Sequence, residues 1–386
     1  MELAELIPHL AAHAPSFASR MAAAGVDPGS IRQLSDLDAL PVFRKAQLVS
    51  LQATSPPFGG LLAAPLSEIK GVYQSPGPIY TPEPARADAW RWAPALAAAG
   101  FARGQVVMNT FSYHLSPAGV RFHEGLVKLG CAVVPGGVGN QEQQVKVLHQ
   151  LGITGYVGLP SYLKALLDKA SELGLPLSLQ RAFVAAEPLP PSLRDAIEAQ
   201  GVQVRQGYGT AETGNLGFEC EALSGWHVPE DVWVQICDIT DGRPLPDGEP
   251  GEVVVTSQGP HYALVRFGVG DLSSLDRSPC SCGRHTPRLL GWQGRVDAAV
   301  KVRGLFVHPR QLAELVGRFP SVSAWQAVIT RVDHKDALTI QVVSSDPGVV
   351  AAIEAAAPAV LKLRAAVEAV SSVATSGQLV DQRSWD

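Results

Sequence analysis

The sequence predicts an α/β protein: a large N-terminal domain on a mostly parallel sheet with helices, carrying an antiparallel subdomain, and a small C-terminal α+β domain. Three observations predict it. Between about 90 and 215, short apolar runs alternate with amphipathic helical stretches, the pattern of strands covered on both faces. Over 216–290 the pattern changes to longer strand-like runs joined by polar Gly-containing turns, as antiparallel pairs require. From 298 onward a shorter chain repeats helix and strand signals on a smaller scale. These readings place the domains at 1–297 and 298–386, with the antiparallel subdomain at 216–290.

The elements follow in order. Residues 1–50 read as helical and end at the basic turn Phe43-Arg44-Lys45. Residues 52–86 are rich in Pro, Gly, Ser and Thr and read as loops. Strands are expected at 106–109, 131–135, 155–159, 181–185 and 202–205. Helices are expected between them at 120–129, 142–151, 160–173 and 191–200. In such a sheet ligands bind beyond the C-terminal ends of the strands. The runs 233–237 and 251–256 flank a polar turn and read as antiparallel partners. The last unit reads as helix 309–318, strands 324–330 and 338–344, and helix 348–370.

Composition excludes several classes. Among 386 residues, Lys and Arg number 31 against 36 Asp and Glu, a net charge of −5, so no field favours nucleic acid or an anionic membrane. The start, Met1-Glu2-Leu3-Ala4-Glu5, is acidic and lacks the basic and apolar regions of a signal peptide. Pro, Gly and charges interrupt the Ala-rich runs, so no membrane span is expected. The cysteines number 5, an odd and sparse set that fits a reducing cytoplasm rather than a disulfide framework. Cys131 and Cys237 sit in apolar runs and read as core.

Three patches carry chemistry. In Arg205-Gln206-Gly207-Tyr208-Gly209-Thr210-Ala211-Glu212-Thr213-Gly214, a strand runs into a glycine-bearing turn. That turn offers a ring able to stack on a purine, a hydroxyl for a phosphate oxygen and a carboxylate for a hard cation. In Arg266-Phe267-Gly268-Val269-Gly270-Asp271, the aspartate either accepts from a ribose diol or caps turn N–H groups. In Gly294-Arg295-Val296-Asp297, the arginine either reaches a ribose or phosphate oxygen or belongs to a charged linker at the domain boundary. Cys280 and Cys282 form a CxC pair. With Cys220 and His227 they can hold one tetrahedral zinc, with His285 as a rival nitrogen ligand, or they are reduced core cysteines.

In this order the patches resemble the adenylate-forming superfamily, most closely its phenylacetate-CoA ligase and coenzyme F390 synthetase-like branch. Ala185-Ala186-Glu187-Pro188 resembles the branch's turn against the adenine. Phe218-Glu219-Cys220-Glu221, Gly225-Trp226-His227 and Pro279-Cys280-Ser281-Cys282-Gly283-Arg284 resemble its later segments, and Gly139-Asn140-Gln141-Glu142 and Leu159-Pro160-Ser161-Tyr162 also match in order. The resemblance implies ATP-dependent formation of an acyl-adenylate from a carboxylic acid, then transfer to CoA or another thiol. A mobile small domain would turn about a hinge between the two steps. It further implies Mg2+, a structural zinc, and a homodimer as in relatives. Carried onto this chain, Ala186, Glu187 and Pro188 line the adenine and Tyr208, with Gly209, stacks on it. Thr210 approaches the phosphate and Glu212 positions Mg2+. Asp271 and Arg295 hold the ribose, and Asp297 is the hinge. The acid pocket falls near Phe111, Tyr113 and His114, residues that suit an aryl acid or plain core packing.

The chain departs from that pattern twice. Its phosphate loop, 73–82, has lost the lysine and most hydroxyls and gained prolines, which lack the N–H groups that cradle phosphate. Gln378 stands where the C-terminal lysine is expected, and no lysine follows Lys362. Lys301 or Arg303 would then supply the cation, or the chain binds AMP, an adenylate or a CoA ester without efficient adenylation.

Overall fold

Residues 1–75, 77–298, 300–302, 305–332 and 335–383 are described by a computed structural model. They form two units. The first comprises Met1–Asp238, Gly242–Val269 and Ser273–Trp292, and the second comprises Ile239–Asp241, Gly270–Leu272 and Gln293–Asp386.

In the first unit, α1 (Leu3–His13) and α2 (Pro15–Ala23) bury Leu6, Ile7, Leu10, Phe17 and Met21. The chain continues through β1 (Phe43–Arg44), α3 (Lys45–Thr54), β2 (Ile69–Gln74), β3 (Tyr80–Pro84) and α4 (Trp92–Ala98). Two expectations change here. The basic turn at 43–45 opens a helix instead of ending the helical run. The supposed loop 52–86 contains a hairpin, with Tyr73 opposite Thr81 and Gln74 opposite Tyr80. Pro82 and Pro84 are tolerated because the ribbon is two-stranded, so one side of each strand needs no ladder N–H.

The alternating region gives β4 (Val106–Asn109), α5 (Ala118–Lys128), β5 (Ala132–Pro135), α6 (Gln141–Gln150) and β6 (Gly155–Gly158). Next come α7 (Pro160–Glu172), β7 (Arg181–Val184), α8 (Pro191–Glu198) and β8 (Gln203–Thr210). The strands lie parallel in the order β5-β4-β6-β7-β8. Side chains alternate across them, so each strand feeds two cores. Val107, Val157 and Phe183 pack with Trp92, Leu96, Phe122 and Leu126 on one face. Met108, Tyr156, Ala182 and Val184 pack with Leu148, Leu163, Leu166 and Ile197 on the other.

β9 (Gly214–Phe218) and β10 (Trp226–His227) extend this sheet antiparallel. β11 (Val232–Cys237) and β12 (Gly251–Ser257) pair antiparallel, and β13 (Phe267–Ser273) runs beside β12 and parallel to β1. β14 (Leu275–Asp276) and β15 (Arg288–Leu289) complete the edge of the larger sheet. The result is the expected mixed α/β architecture.

The second unit holds β16 (Gly294–Arg295), β17 (Val300–Val302), β18 (Leu305–Val307), α9 (Pro309–Gly317), β19 (Val322–Val332), β20 (Lys335–Ser344), α10 (Val349–Leu361), β21 (Ala366–Ala369) and β22 (Gln378–Asp381). Leu312, Leu315, Ile329, Ile340 and Ile353 form its core. The helix expected over 348–370 stops at Leu361, because Lys362 turns left-handed (φ 59°) and Val367 then pairs with Ile340.

Candidate functional site

The expected turn at 206–214 is shorter than its sequence suggests. β8 continues to Thr210, because Gly207 and Tyr208 pair with Phe218 and Gly217 of β9, leaving Ala211–Thr213 as the bend. Gly214 reverses the chain at φ +72°, and a Cβ there would lie 2.7 Å from that of Trp90. Gly207 is required by close approach, since a Cβ would meet the Phe183 ring at 2.4 Å.

This hairpin collects three expected residues. Tyr208 is half-buried, and its ring lies on Trp226 with centroids 5.3 Å apart and planes 15° from parallel. Thr210 Oγ1 accepts from the Thr213 N–H at 3.2 Å and lies 2.9 Å from the Thr213 hydroxyl. Glu212 is only 2% exposed, and its Oε2 is ion-paired with Lys45 Nζ at 3.2 Å. Leu48 and Gln52 share the helix face that Lys45 opens. Gln52 bonds the Tyr80 backbone at both its amide groups, which fixes α3 against the β2–β3 hairpin.

Two buried arginines hold the bend by its carbonyls. Arg121 Nη1 donates to Ala211 O at 2.6 Å, and Arg91 Nη2 donates to Thr213 O. Burial pulls the Arg91 guanidinium down to about 10 and also lowers that of Arg121. Arg121 Nε donates to Glu83 Oε2 at 2.9 Å, the same oxygen takes the Trp90 indole N–H at 2.6 Å, and the guanidinium lies 3.9 Å over the Trp90 ring. Burial raises the Glu83 pKa against the pull of Arg121. Sequence reasoning passed over Arg121 and Glu83. Arg121 reads as one charge on an amphipathic helix, and Glu83 lies between prolines in a stretch taken for loop.

Ala186 adopts φ +69° after β7, and Glu187 Oε2 accepts from the Ser161 hydroxyl at 2.5 Å at the start of α7. Gln206 Nε2 donates to the Glu187 carbonyl at 3.0 Å, tying this turn to β8. Phe111 stacks on Phe122 with centroids 4.6 Å apart inside the core, and the Tyr113 hydroxyl accepts from Asn109 at 2.9 Å, while His114 is exposed.

In the second unit Asp271, Arg295 and Asp297 come together. Arg295 Nη1 donates to Asp271 Oδ1 at 3.1 Å and its Nε donates to Asp297 Oδ1 at 3.2 Å. The Lys301 side chain and Arg303 lie outside the described residues. Gln378 is exposed on β22, opposite Gln326 of β19.

Cys220, His227, Cys280 and Cys282 converge in the first unit, with their ligand atoms within 4.8 Å of one another. Cys220 Sγ and Cys280 Sγ are 3.8 Å apart, and Cys282 Sγ lies 3.3 Å from His227 Nε2. Zinc–sulfur bonds of about 2.3 Å in a tetrahedron give sulfur–sulfur edges of roughly 3.8 Å, so the donors fit the ion. His227 Nδ1 lies 3.1 Å from the Thr286 hydroxyl, the outer contact that orients a ligating imidazole. The Cys282 backbone N–H draws the Cys280 thiol down to about 6, and burial pushes Cys220 up to about 11. His285 is exposed and stands outside this group. Cys131 is buried in the apolar cluster of Phe122 and Leu126, and Cys237 is buried beside Val42 and Val254 with Arg266 Nη2 3.9 Å from its Sγ.

A profile of the AMP-binding enzymes matches residues 95–263. The phenylacetate-coenzyme A ligase of Thermus thermophilus is 32% identical over 362 residues, covering 89% of this chain and 80% of that protein. The phenylacetate-coenzyme A ligase of Escherichia coli is 27% identical over 391 residues, covering 97% and 88%. An open conformation of 2-hydroxyisobutyryl-CoA ligase, solved with 2-HIB-AMP and CoA, superposes with a TM-score of 0.85 at 25% identity, covering all of this chain and 90% of that one. This chain belongs to the adenylate-forming enzymes, in their phenylacetate-CoA ligase branch.

Proposed function

We propose that this chain activates a carboxylic acid with ATP and passes the acyl group to CoA or another thiol. The acid's carboxylate oxygen attacks the α-phosphorus and pyrophosphate leaves. The thiolate then attacks the acyl carbonyl and AMP leaves with the bonding electrons. The observation that carries the reading is the β8–β9 hairpin. It places a backed aromatic ring, a hydroxyl and a buried carboxylate within five residues of one bend. The relatives' names and the 2-hydroxyisobutyryl-CoA ligase complex support the same chemistry.

The roles follow from the side chains. Tyr208, rigidified by Trp226, stacks on adenine, beside the backbone turn of Ala186, Glu187 and Pro188. Thr210 donates to the α-phosphate. Glu212 holds Mg2+, which when bound offsets phosphate charge. Asp271 accepts from the ribose, oriented by Arg295, and Asp297 marks the hinge of a mobile second unit. Zinc on Cys220, His227, Cys280 and Cys282 ties β10 to the 280–282 loop. A homodimer and a cytoplasmic setting complete the proposal.

Incubation with ATP, Mg2+, CoA and a panel of aryl and short-chain acids tests it. AMP and a matching thioester are expected for at least one acid. A second reading, a binder of AMP or of an adenylate with little adenylation, is favoured by Gln378 and by a phosphate loop without lysine. Equal AMP binding with no turnover for any acid would select it.

A further inference from the structure

Arg121 sits under the hairpin that stands where the phosphate loop is expected. The register of β2 and β3 puts Tyr73 opposite Thr81 and Gly71 opposite Glu83, so Tyr73, Ser75, Thr81 and Glu83 share one face. Glu83, on this face, accepts from Arg121 Nε of α5 at 2.9 Å, so this is the face that looks toward α5. On this face and against it, four buried polar atoms make no hydrogen bond among the described residues: Ser75 Oγ, Thr81 Oγ1, Glu83 Oε1 and Arg121 Nη2. The residues are 7%, 1%, 1% and 3% exposed, so bulk water does not satisfy them. Glu212 Oε2, on the bend that Arg121 holds, is ion-paired with Lys45 but is likewise in no hydrogen bond among the described residues.

This inventory has a definite chemistry. The guanidinium N–H groups and hydroxyls are donors for phosphate oxygens, while the carboxylate oxygens need a cation. A bare anion would satisfy the first set and be repelled by the second. A triphosphate that arrives with its Mg2+ satisfies both. Arg121 is also pre-organised. Its Nε and Nη1 are fixed by Glu83 and Ala211 O, and its plane is fixed by Trp90, so Nη2 is held with little freedom left to lose.

We infer that Arg121, with Ser75 and Thr81, holds the β- and γ-phosphates of ATP, and that helix α5 supplies the cation the loop at 73–82 lacks. The inference rests on the adenylation reading. It makes Arg121 a phosphate-binding residue of the first half-reaction only, because AMP and the acyl-adenylate have no phosphate there.

Calorimetry with AMP and with Mg2+·ATP, in the absence of any acid, tests it. The wild-type chain should bind Mg2+·ATP more tightly than AMP. A Ser75→Ala, Thr81→Val variant should lose about tenfold in ATP affinity and keep its AMP affinity. An Arg121→Met, Glu83→Gln variant, which removes both charges together, should lose more for ATP and again spare AMP. If that variant does not fold, the hydroxyl variant decides. Parallel losses for both nucleotides would make these residues merely structural, and unchanged affinities or equal wild-type binding of ATP and AMP would overturn the role outright. A wild-type chain that binds neither nucleotide would sink the adenylation reading as well.

Discussion

Arg295 and Asp271 face each other across paired strands, with Arg295 Nη1 3.1 Å from Asp271 Oδ1. The same guanidinium holds Asp297, so one side chain orients both the expected ribose ligand and the expected hinge residue. Asp271 is 9% exposed, so its carboxylate is oriented by protein groups, Arg295 among them. Arg295→Met should weaken AMP binding about tenfold, the scale of one hydrogen bond to a charged group. Asp271→Asn should do at least as much. Titration of both variants with AMP checks this, and unchanged affinity in both would separate the pair from the nucleotide.

Tyr208 rests on Trp226 and so presents a ring already fixed in plane. Replacing Tyr208 by Ala should cost about 1–3 kcal/mol of AMP binding, the usual worth of a base on an aromatic side chain. Tyr208→Phe keeps the ring and should retain most of it. An Ala variant that binds AMP like the wild type would remove the stacking role.

Glu212 is buried while its partner Lys45 is about a third exposed, at 31%. Glu212→Gln removes a buried carboxylate but leaves Lys45 able to turn to water, so the fold should survive with a loss of about 1–3 kcal/mol. The catalytic effect should be larger. Turnover should fall by roughly a hundredfold, as when one preorganised charge contact of a transition state is removed. Thermal melting and turnover at saturating Mg2+ separate the two effects, and equal turnover would displace the carboxylate from the metal.

The thiol cluster predicts metal in protein purified without added zinc. Metal analysis should find about one equivalent, as for a closed tetrahedral site. Its affinity should fall as pH drops, because each thiol must lose a proton to bind as thiolate. A Cys280→Ser, Cys282→Ser variant should lose the metal and melt at lower temperature. Retention of both would show the four residues to be ordinary packing.

Much of this was legible in the sequence, for physical reasons that differ by region. The parallel strands were readable because runs such as Val106–Asn109 are apolar on both faces and lie between amphipathic helices. The reach of β8 was hidden by its glycines. Gly207 and Gly209 read as turn residues, yet close packing on Phe183 explains Gly207 within a strand. The β2–β3 hairpin was masked by Pro82 and Pro84, which an isolated ribbon admits and a wider sheet would not. The helix over 348–370 was overextended because the left-handed turn at Lys362 carries no Gly or Asn to announce it. The CxC spacing alone leaves zinc and reduced core cysteines both open, and the resemblance favours zinc, whereas the roles of Arg121 and Glu83 depend on contacts 38 residues apart and on carbonyls far along the chain.

In the proposed reaction the bend at 211–213 helps bring an acid's carboxylate and the α-phosphate of ATP together. Exchange of labelled pyrophosphate into ATP, run without CoA across a panel of aryl and short-chain acids, isolates that half-reaction. Acid-dependent exchange is expected with at least one acid, strongly reduced by Glu212→Gln. Folded protein that binds AMP yet exchanges no label with any acid would contradict the proposed reaction.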